Sequence, residues 1–185
     1  MSDYRVASRY AKSLIDLSVE KGVLDDVNND MVAFTEVCTQ NHDFYLMLKN
    51  PIINHDKKLK ILKALFSDKF NALSLAIFEL ITRKHREAFL PAIAKEFHHQ
   101  YNVNKGIETA TVVTTFPLTD VLRKEFNDAI HQLTGKTPEL IEEIDENIIG
   151  GFVLKLGDRQ VDDSISGKLK ELKLEFSHNP YVKSY

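Results

Sequence analysis

"HHQYNVNKGIETATVVTTFPLTD", residues 98–120, is where the periodicity of the chain changes. Before it, Leu90, Ile93, Ala94, Phe97 and Tyr101 recur at three- and four-residue spacings, the stripe of a helix with Pro91 in its first turn and Gly106 just past its end. From Ile107 to Phe116 the residues are β-branched and alternating. Such side chains lose rotamer freedom in a helix and pack well on a pleated sheet, so a strand begins here and Pro117 ends it. Gly106 therefore marks a boundary. The expected organisation is a helical domain over 1–105, a small α/β domain over 106–176 and a C-terminal tail over 177–185.

Working back from the boundary, helical spacing holds throughout and accommodates six helices. The first runs from about Tyr4 to Glu20 and stops at Gly22; the second carries Leu24, Val27, Met31, Phe34 and Cys38. A short third, about 43–49, ends at Asn50-Pro51. The fourth opens near Asn54, with Leu59, Leu62, Leu65 and Phe66 inward and Lys57, Lys58, Lys60 and Lys63 outward. The fifth covers about 69–84. Forward of the boundary, Thr119 can cap a helix bearing Leu122, Phe126, Ala129, Ile130 and Leu133, which Gly135 stops. Strands follow at about 138–144 and 150–156. Gly157-Asp158 makes a turn, and Asp163 or Ser164 can cap a last helix with Ile165, Leu169, Leu172 and Phe176 inside. The fold class is thus α+β and multidomain: a six-helix bundle followed by a βαββα domain with a mixed sheet.

Composition excludes several function classes. A net charge of -3 gives no general attraction to nucleic acid or to an anionic bilayer. A single cysteine, Cys38, rules out an intramolecular disulfide and a multiple-cysteine zinc site, and fits a reducing compartment. Asp3, Arg5 and Arg9 interrupt any secretion signal, and "ALSLAIFELI" (72–81) is about half of the ~20 residues a membrane helix needs. The chain is expected neither to insert into a membrane nor to be exported.

The search for chemistry returns scaffolding. "TGKT" (134–137) lacks the upstream glycine of a phosphate loop, Ile130 standing there inside a helix, and reads as a helix stop. None of the seven histidines forms a His-Glu-x-x-His pair, and adjacent His98 and His99 diverge by about 100° on a helix. Asp145, Asp158, Asp162 and Asp163 stand where turns and caps recruit aspartate, and no activated nucleophile accompanies them. The lysines of "DKKLKILKALF" (56–66) and the cluster "TRKHRE" (82–87) read as solvated faces and a helix end, without the interleaved aromatics that stack on bases. Gly150 and Gly151, in "IIGGFVLKLGD" (148–158), sit where apolar alternation begins, at or within a strand's start, and so serve backbone geometry. No catalytic, cofactor-binding or metal-binding residue is assigned.

The informative anomaly is surplus apolar surface. On the first helix Tyr4, Val6, Ala7, Tyr10, Ala11, Leu14, Ile15, Leu17 and Val19 cover far more than the stripe of about 100° that packing on one core requires. Apolar residues from Leu73 to Ile81 surround the fifth helix, broken chiefly by Ser74 and Glu79. A groove between the two that takes a partner helix is physically attractive. Periodicity leaves open which edge of each arc faces the core.

Four stretches carry a resemblance to a known family: "RYAKSLIDLS" (9–18), "NPIINHDKKLKIL" (50–62), "FPLTD" (116–120) and, most specifically, "IDENIIGGFVLKLGDRQVDDSISGKLKEL" (144–172). Over essentially its whole length the chain resembles the delta subunit of the F-type ATP synthase, similar to the mitochondrial oligomycin-sensitivity-conferring protein. Asp163 departs from the glycine usual there. The resemblance implies a non-catalytic stator component that tethers the catalytic head to the peripheral stalk, so that proton-driven rotation is coupled to ATP synthesis. The helical domain would bind the N-terminal helices of the alpha subunits, and the C-terminal domain the stalk subunit b. It further implies one copy in a hetero-oligomer, peripheral on the cytoplasmic face of the bacterial inner membrane, with no nucleic-acid partner and no cofactor. Tyr10, Leu14 and Leu17 with Leu75, Phe78 and Ile81 are the expected lining of the alpha-subunit groove. Gly150, Gly151, Gly157, Asp162 and Ser164 are the expected structural positions. The alternative is a free-standing helical RNA-binding or regulatory protein with a fused α/β domain.

Overall fold

The computed structural model describes residues 3–177, so the expected tail lies outside the described residues apart from Ser177. The chain divides into two compact units that adjoin at Asn104 and Lys105. The first holds six helices: α1 (Asp3–Glu20), α2 (Leu24–Gln40), α3 (His42–Lys49), α4 (His55–Phe66), α5 (Ala72–Arg83) and α6 (Leu90–Lys105), with a 3-10 turn at Glu87–Phe89. Three asparagines start helices. The side chains of Asn41, Asn54 and Asn71 accept from the backbone N–H of Phe44, Asp56 and Leu73, each meeting a donor left without an intrahelical partner. The fifth helix begins at Ala72 rather than near residue 69 because Asn71 is its cap. Asp30 Oδ2 fixes that start from α2, accepting from Asn71 N–H at 2.8 Å and from Ser74 Oγ at 2.6 Å. The core is centred on Phe34, whose ring meets those of Phe44, Phe66 and Phe78 at centroid distances of 4.8 to 6.2 Å among the four.

The second unit carries β1 (Ile107–Thr114), α7 (Asp120–Thr134), β2 (Thr137–Ile144), β3 (Phe152–Leu156), β4 (Arg159–Asp162) and α8 (Ile165–Ser177). The sheet order is β2-β1-β3-β4. β1 pairs parallel with β2 (Ile107 opposite Thr137) across the α7 crossover, and antiparallel with β3 (Thr114 opposite Phe152). The sheet is mixed as expected, but the order is βαβββα rather than βαββα. Gly157-Asp158 folds the chain straight back, so that Arg159–Asp162 pairs with β3 as a fourth strand. These four residues are all exposed, and nothing apolar alternates along them to announce a strand. On one face Ala110, Val112 and Leu154 pack with Leu118 and Ile130, flanked by Leu122, Phe126 and Phe152; on the other, Val113, Val153 and Ile148 form a smaller cluster.

Expected orientations are overturned on three helices, α4, α7 and α8. Lys58, read as outward, is 1% exposed, while Leu65, read as inward, is exposed. The reason is an internal partner: Lys58 Nζ donates to Glu87 Oε1 at 2.8 Å and to the Leu48 carbonyl at 2.9 Å. On α7, Ala129 and Leu133 face solvent. On α8 no residue is buried, and Ile165, Leu169, Leu172 and Phe176, read as inside, are all exposed. That helix packs on the turn at Glu146–Ile148, and among the described residues its apolar stripe stays exposed.

Candidate partner-binding site

The six residues expected to line a groove separate by depth. Leu14, Phe78 and Ile81 belong to the core, Phe78 at 2% exposure, and are not available to a partner. Tyr10 and Leu75 are half-buried on its margin, and Leu17 is 43% exposed. What α1 turns outward is Tyr4, Leu17 and Val19, with Val6 half-buried; on α5 it is Leu80, with exposed Ala72 and Ala76 beside it. The surplus of apolar residues is real on both helices; of the expected residues its outer edge keeps Leu17, and it adds Leu80 on α5. On α5 the displacement has a clear cause. Ser74 and Thr82 face inward, Ser74 held by Asp30 and Thr82 Oγ1 donating to the Phe78 carbonyl at 2.7 Å, which rotates Leu80 outward.

Between the ends of these helices lies the segment 84–89. Arg86 N–H donates to the Ile81 carbonyl at 3.0 Å, closing the end of α5, and His85 takes a left-handed φ of 56° to let the chain turn. The 3-10 turn that follows packs against α1, α3 and α5. The buried Lys58–Glu87 pair anchors it from α4. The turn thereby presents Arg86 to α1, where Nη1 donates to Tyr10 Oη at 3.1 Å and the guanidinium lies 5.9 Å from the ring centroid. Arg5, Val6, Arg9, Tyr10, Ser13 and Arg86 line a cleft of about 360 Å³. On the other side, Glu79 receives both Lys63 (3.1 Å) and Arg83 (2.5 Å). The Lys63 hydrogen bond, with the two positive charges, holds its carboxyl below the usual range. Sequence reading passed over Arg86 and Glu87 by treating "TRKHRE" as a solvated helix end. The available signal was the position of Glu87 between a helix end and Phe89, where a carboxylate needs a partner.

In the second unit, the glycine-rich stretch builds a corner. β3 begins at Phe152, so Gly150 and Gly151 precede the strand. Gly151 has φ +78°, and a Cβ there would overlap the Asp163 carbonyl oxygen; Gly150 would meet only the Ile165 side chain. Ser164 Oγ accepts from Gly167 N–H at 3.0 Å, capping α8, and Asp162 Oδ1 accepts from Ser164 N–H at 2.9 Å. The bonds to Ser164 hold the Asp162 carboxyl below its ordinary value. Gly157 supplies the left-handed residue of the β3–β4 hairpin. Past the cap, the stripe Ile165, Leu169, Leu172 and Phe176 lies open along α8.

The comparisons give this arrangement its context. Residues 6–176 match the family described as ATP synthase delta (OSCP) subunit. The chain belongs to that family. It is 47% identical over 177 residues to the ATP synthase subunit delta of Cytophaga hutchinsonii, covering 96% of this chain and 97% of the relative. It is 36% identical over 181 residues to that of Amoebophilus asiaticus, covering 97% and 98%. Its fold is that of a chain in the Toxoplasma gondii mitochondrial ATP synthase hexamer, with a TM-score of 0.76, 21% identity and coverage of 94% and 98%. Membership in the delta (OSCP) family makes the chain a stator component of an F-type ATP synthase. No helix among the described residues is long and apolar enough to cross a membrane, and no group of three or more metal-ligating side chains converges there.

Proposed function

We infer that the chain tethers the catalytic head to the peripheral stalk, the helical unit holding N-terminal helices of the alpha subunits and the α/β unit holding subunit b. The observation that carries this is the presence of exposed apolar side chains on helices of both units: Leu17 on α1 and Leu80 on α5, and the α8 stripe ending at Phe176, 83% exposed. Each large side chain left in water forgoes roughly 1.5 to 3 kcal/mol, so both units gain by acquiring a partner. A tether is a passive element. Its two ends must bind while the rotor applies torque to the head, and neither end needs nucleotide, metal or a reactive side chain. On this reading the chain performs no chemistry. One copy sits at the periphery of the complex, on the cytoplasmic face of a bacterial inner membrane, and couples proton-driven rotation to ATP synthesis.

The test uses the full chain with the head stripped of it and, separately, with a soluble form of subunit b. Leu17→Asp should abolish sedimentation with the head and leave subunit b bound; Leu172→Asp should do the reverse. Both positions are exposed, so circular dichroism should remain native. If either variant loses both partners, or neither, the division of labour between the units is wrong. Family membership leaves the RNA-binding alternative without a comparable observation.

A further inference from the structure

The cleft beside Tyr10 is built differently from the rest of the surface around it. It is lined by three arginines, Arg5, Arg9 and Arg86, together with Val6, Tyr10 and Ser13. Arg86 is engaged by the Tyr10 hydroxyl and ring, and none of the three forms an ion pair among the described residues. The neighbouring cations of α4 and α5 behave otherwise, since Lys63 and Arg83 share Glu79. Three like charges lining one small cleft repel one another, and no carboxylate among the described residues pairs with them.

We propose that this cleft is the specificity element of the α1–α5 docking surface: it receives two carboxylates, one helical turn apart, on the flank of an amphipathic helix of the catalytic head. The proposal rests on the reading of that surface as the head-binding site. Arg5 and Arg9 stand four residues apart on α1, hence about 6 Å apart along its axis, the spacing at which acidic side chains recur at positions i and i+4 of a second helix. Guanidinium groups favour this task because their planar fork grips a carboxylate through two hydrogen bonds. The apolar half of the cleft argues for a helix over a free anion. Val6 and Tyr10 are continuous with Leu17, two turns beyond Tyr10 on the same face of α1, so one ligand can cover all three while its acidic flank meets the arginines. Such an arrangement sets register as well as affinity, because a helix that slides by one residue turns its carboxylates away from the guanidinium forks.

The experiment compares Arg9→Glu, Arg86→Glu, Arg9→Lys and Leu17→Ala in the full chain, binding stripped head between about 50 and 300 mM NaCl. Each charge reversal should weaken binding by roughly tenfold at low salt and flatten the salt dependence, with the lysine variant intermediate. Leu17→Ala should weaken binding and leave the salt dependence as it is in the wild type, because it removes apolar contact and no charge. Reversing the acidic residues of the head's docking helix to lysine should restore binding to Arg9→Glu, which loss of fold could not mimic. Wild-type affinity and salt dependence in both arginine-to-glutamate variants overturn the proposal and leave the docking surface standing. Saturable binding of inorganic phosphate that these variants lose makes the cleft a small-anion site instead and also overturns it. If wild-type chain does not bind the head at all, the underlying reading fails first.

Discussion

Removing the ammonium group of Lys58 should destabilise the helical unit more than any change on its surface. Methionine is the informative replacement, since it keeps the apolar stem and deletes the charge. In the native chain the Lys58 side chain is 2% exposed and that of Glu87 is 12%, and the pair is joined at 2.8 Å. Lys58 also satisfies the Leu48 carbonyl, while Glu87 Oε2 is buried without a hydrogen-bond partner. Lys58→Met therefore strands a carboxylate and a carbonyl together. Breaking a buried ion pair from one side costs about 3 to 5 kcal/mol, a large share of the ~5 to 15 kcal/mol that holds a domain folded. Removing both charges is different. Lys58→Met with Glu87→Leu should lie within about 2 kcal/mol of the wild type, because no charge remains to be desolvated. Urea unfolding followed by far-ultraviolet circular dichroism measures this. pH supplies an independent check. Burial pushes the Glu87 carboxyl up, but the Lys58 hydrogen bond, its own backbone N–H and the charges of Lys58 and His85 outweigh that and leave it below its ordinary value. A depressed folded pKa contributes stability that is fully present above the unfolded value of about 4.3 and is lost as pH falls through the folded one. The gap between wild type and Lys58→Met should accordingly narrow below about pH 4. A single variant costing under about 1 kcal/mol at pH 7, or a gap that widens in acid, would falsify the role given to this pair.

Other outcomes follow from the same geometry. Gly151→Val should cost roughly 1 to 3 kcal/mol or more in a thermal melt, from left-handed backbone and overlap with the Asp163 carbonyl, whereas Gly150→Ala should cost under about 1 kcal/mol because only the end of the Ile165 side chain must move. Ser164→Ala removes the cap of α8 and should cost about 1 kcal/mol, with the loss confined to the second unit. Burial pushes the Cys38 thiol up to about 11, Lys95 offsetting this in part, so alkylation at pH 8 should be slow in the native chain and accelerate on unfolding of the helical unit.

Where local chemistry alone decides structure, the sequence was legible. Gly22, Gly106 and Gly135 each stop a helix or lead out of one with positive φ, and Asn54 and Thr119 cap the helices expected of them. Where a long-range partner decides, it was not. Lys58 lies among four lysines that look alike in "DKKLKILK", and only Glu87, twenty-nine residues away, singles it out for burial. Ser74 reads as a gap in the apolar wheel of α5 until Asp30 of α2 turns it inward. β4 is four exposed residues whose only credential is the hairpin turn before them and a partner already in the sheet.

The candidate site shows the same limit in its sharpest form, because a core and a docking surface draw on one vocabulary. Tyr10, Leu14 and Leu17 fall on adjacent positions of one helical stripe, yet Leu14 is enclosed and Leu17 lies open. Nothing in side-chain chemistry separates them; the packing of α1 against α2 and the turn at Glu87–Phe89 does. On α8 the ambiguity ran the other way, and a stripe taken for a core face proved to hold no buried residue among those described. An apolar excess in a sequence thus states how much surface a chain must hide, without saying whether the chain or a partner hides it. Charge is more discriminating. A buried core tolerates few unpaired guanidinium groups, so arginines beside an apolar stripe mark the edge at which the chain's own packing stops. Arg5 and Arg9 flank Val6 and Tyr10 in that way, and Arg86 closes the third side. Reading the stripe together with its cations, rather than the stripe alone, would have kept Tyr10 and Leu17 in the expected groove, added Val6, and left Leu14 and Phe78 to the core.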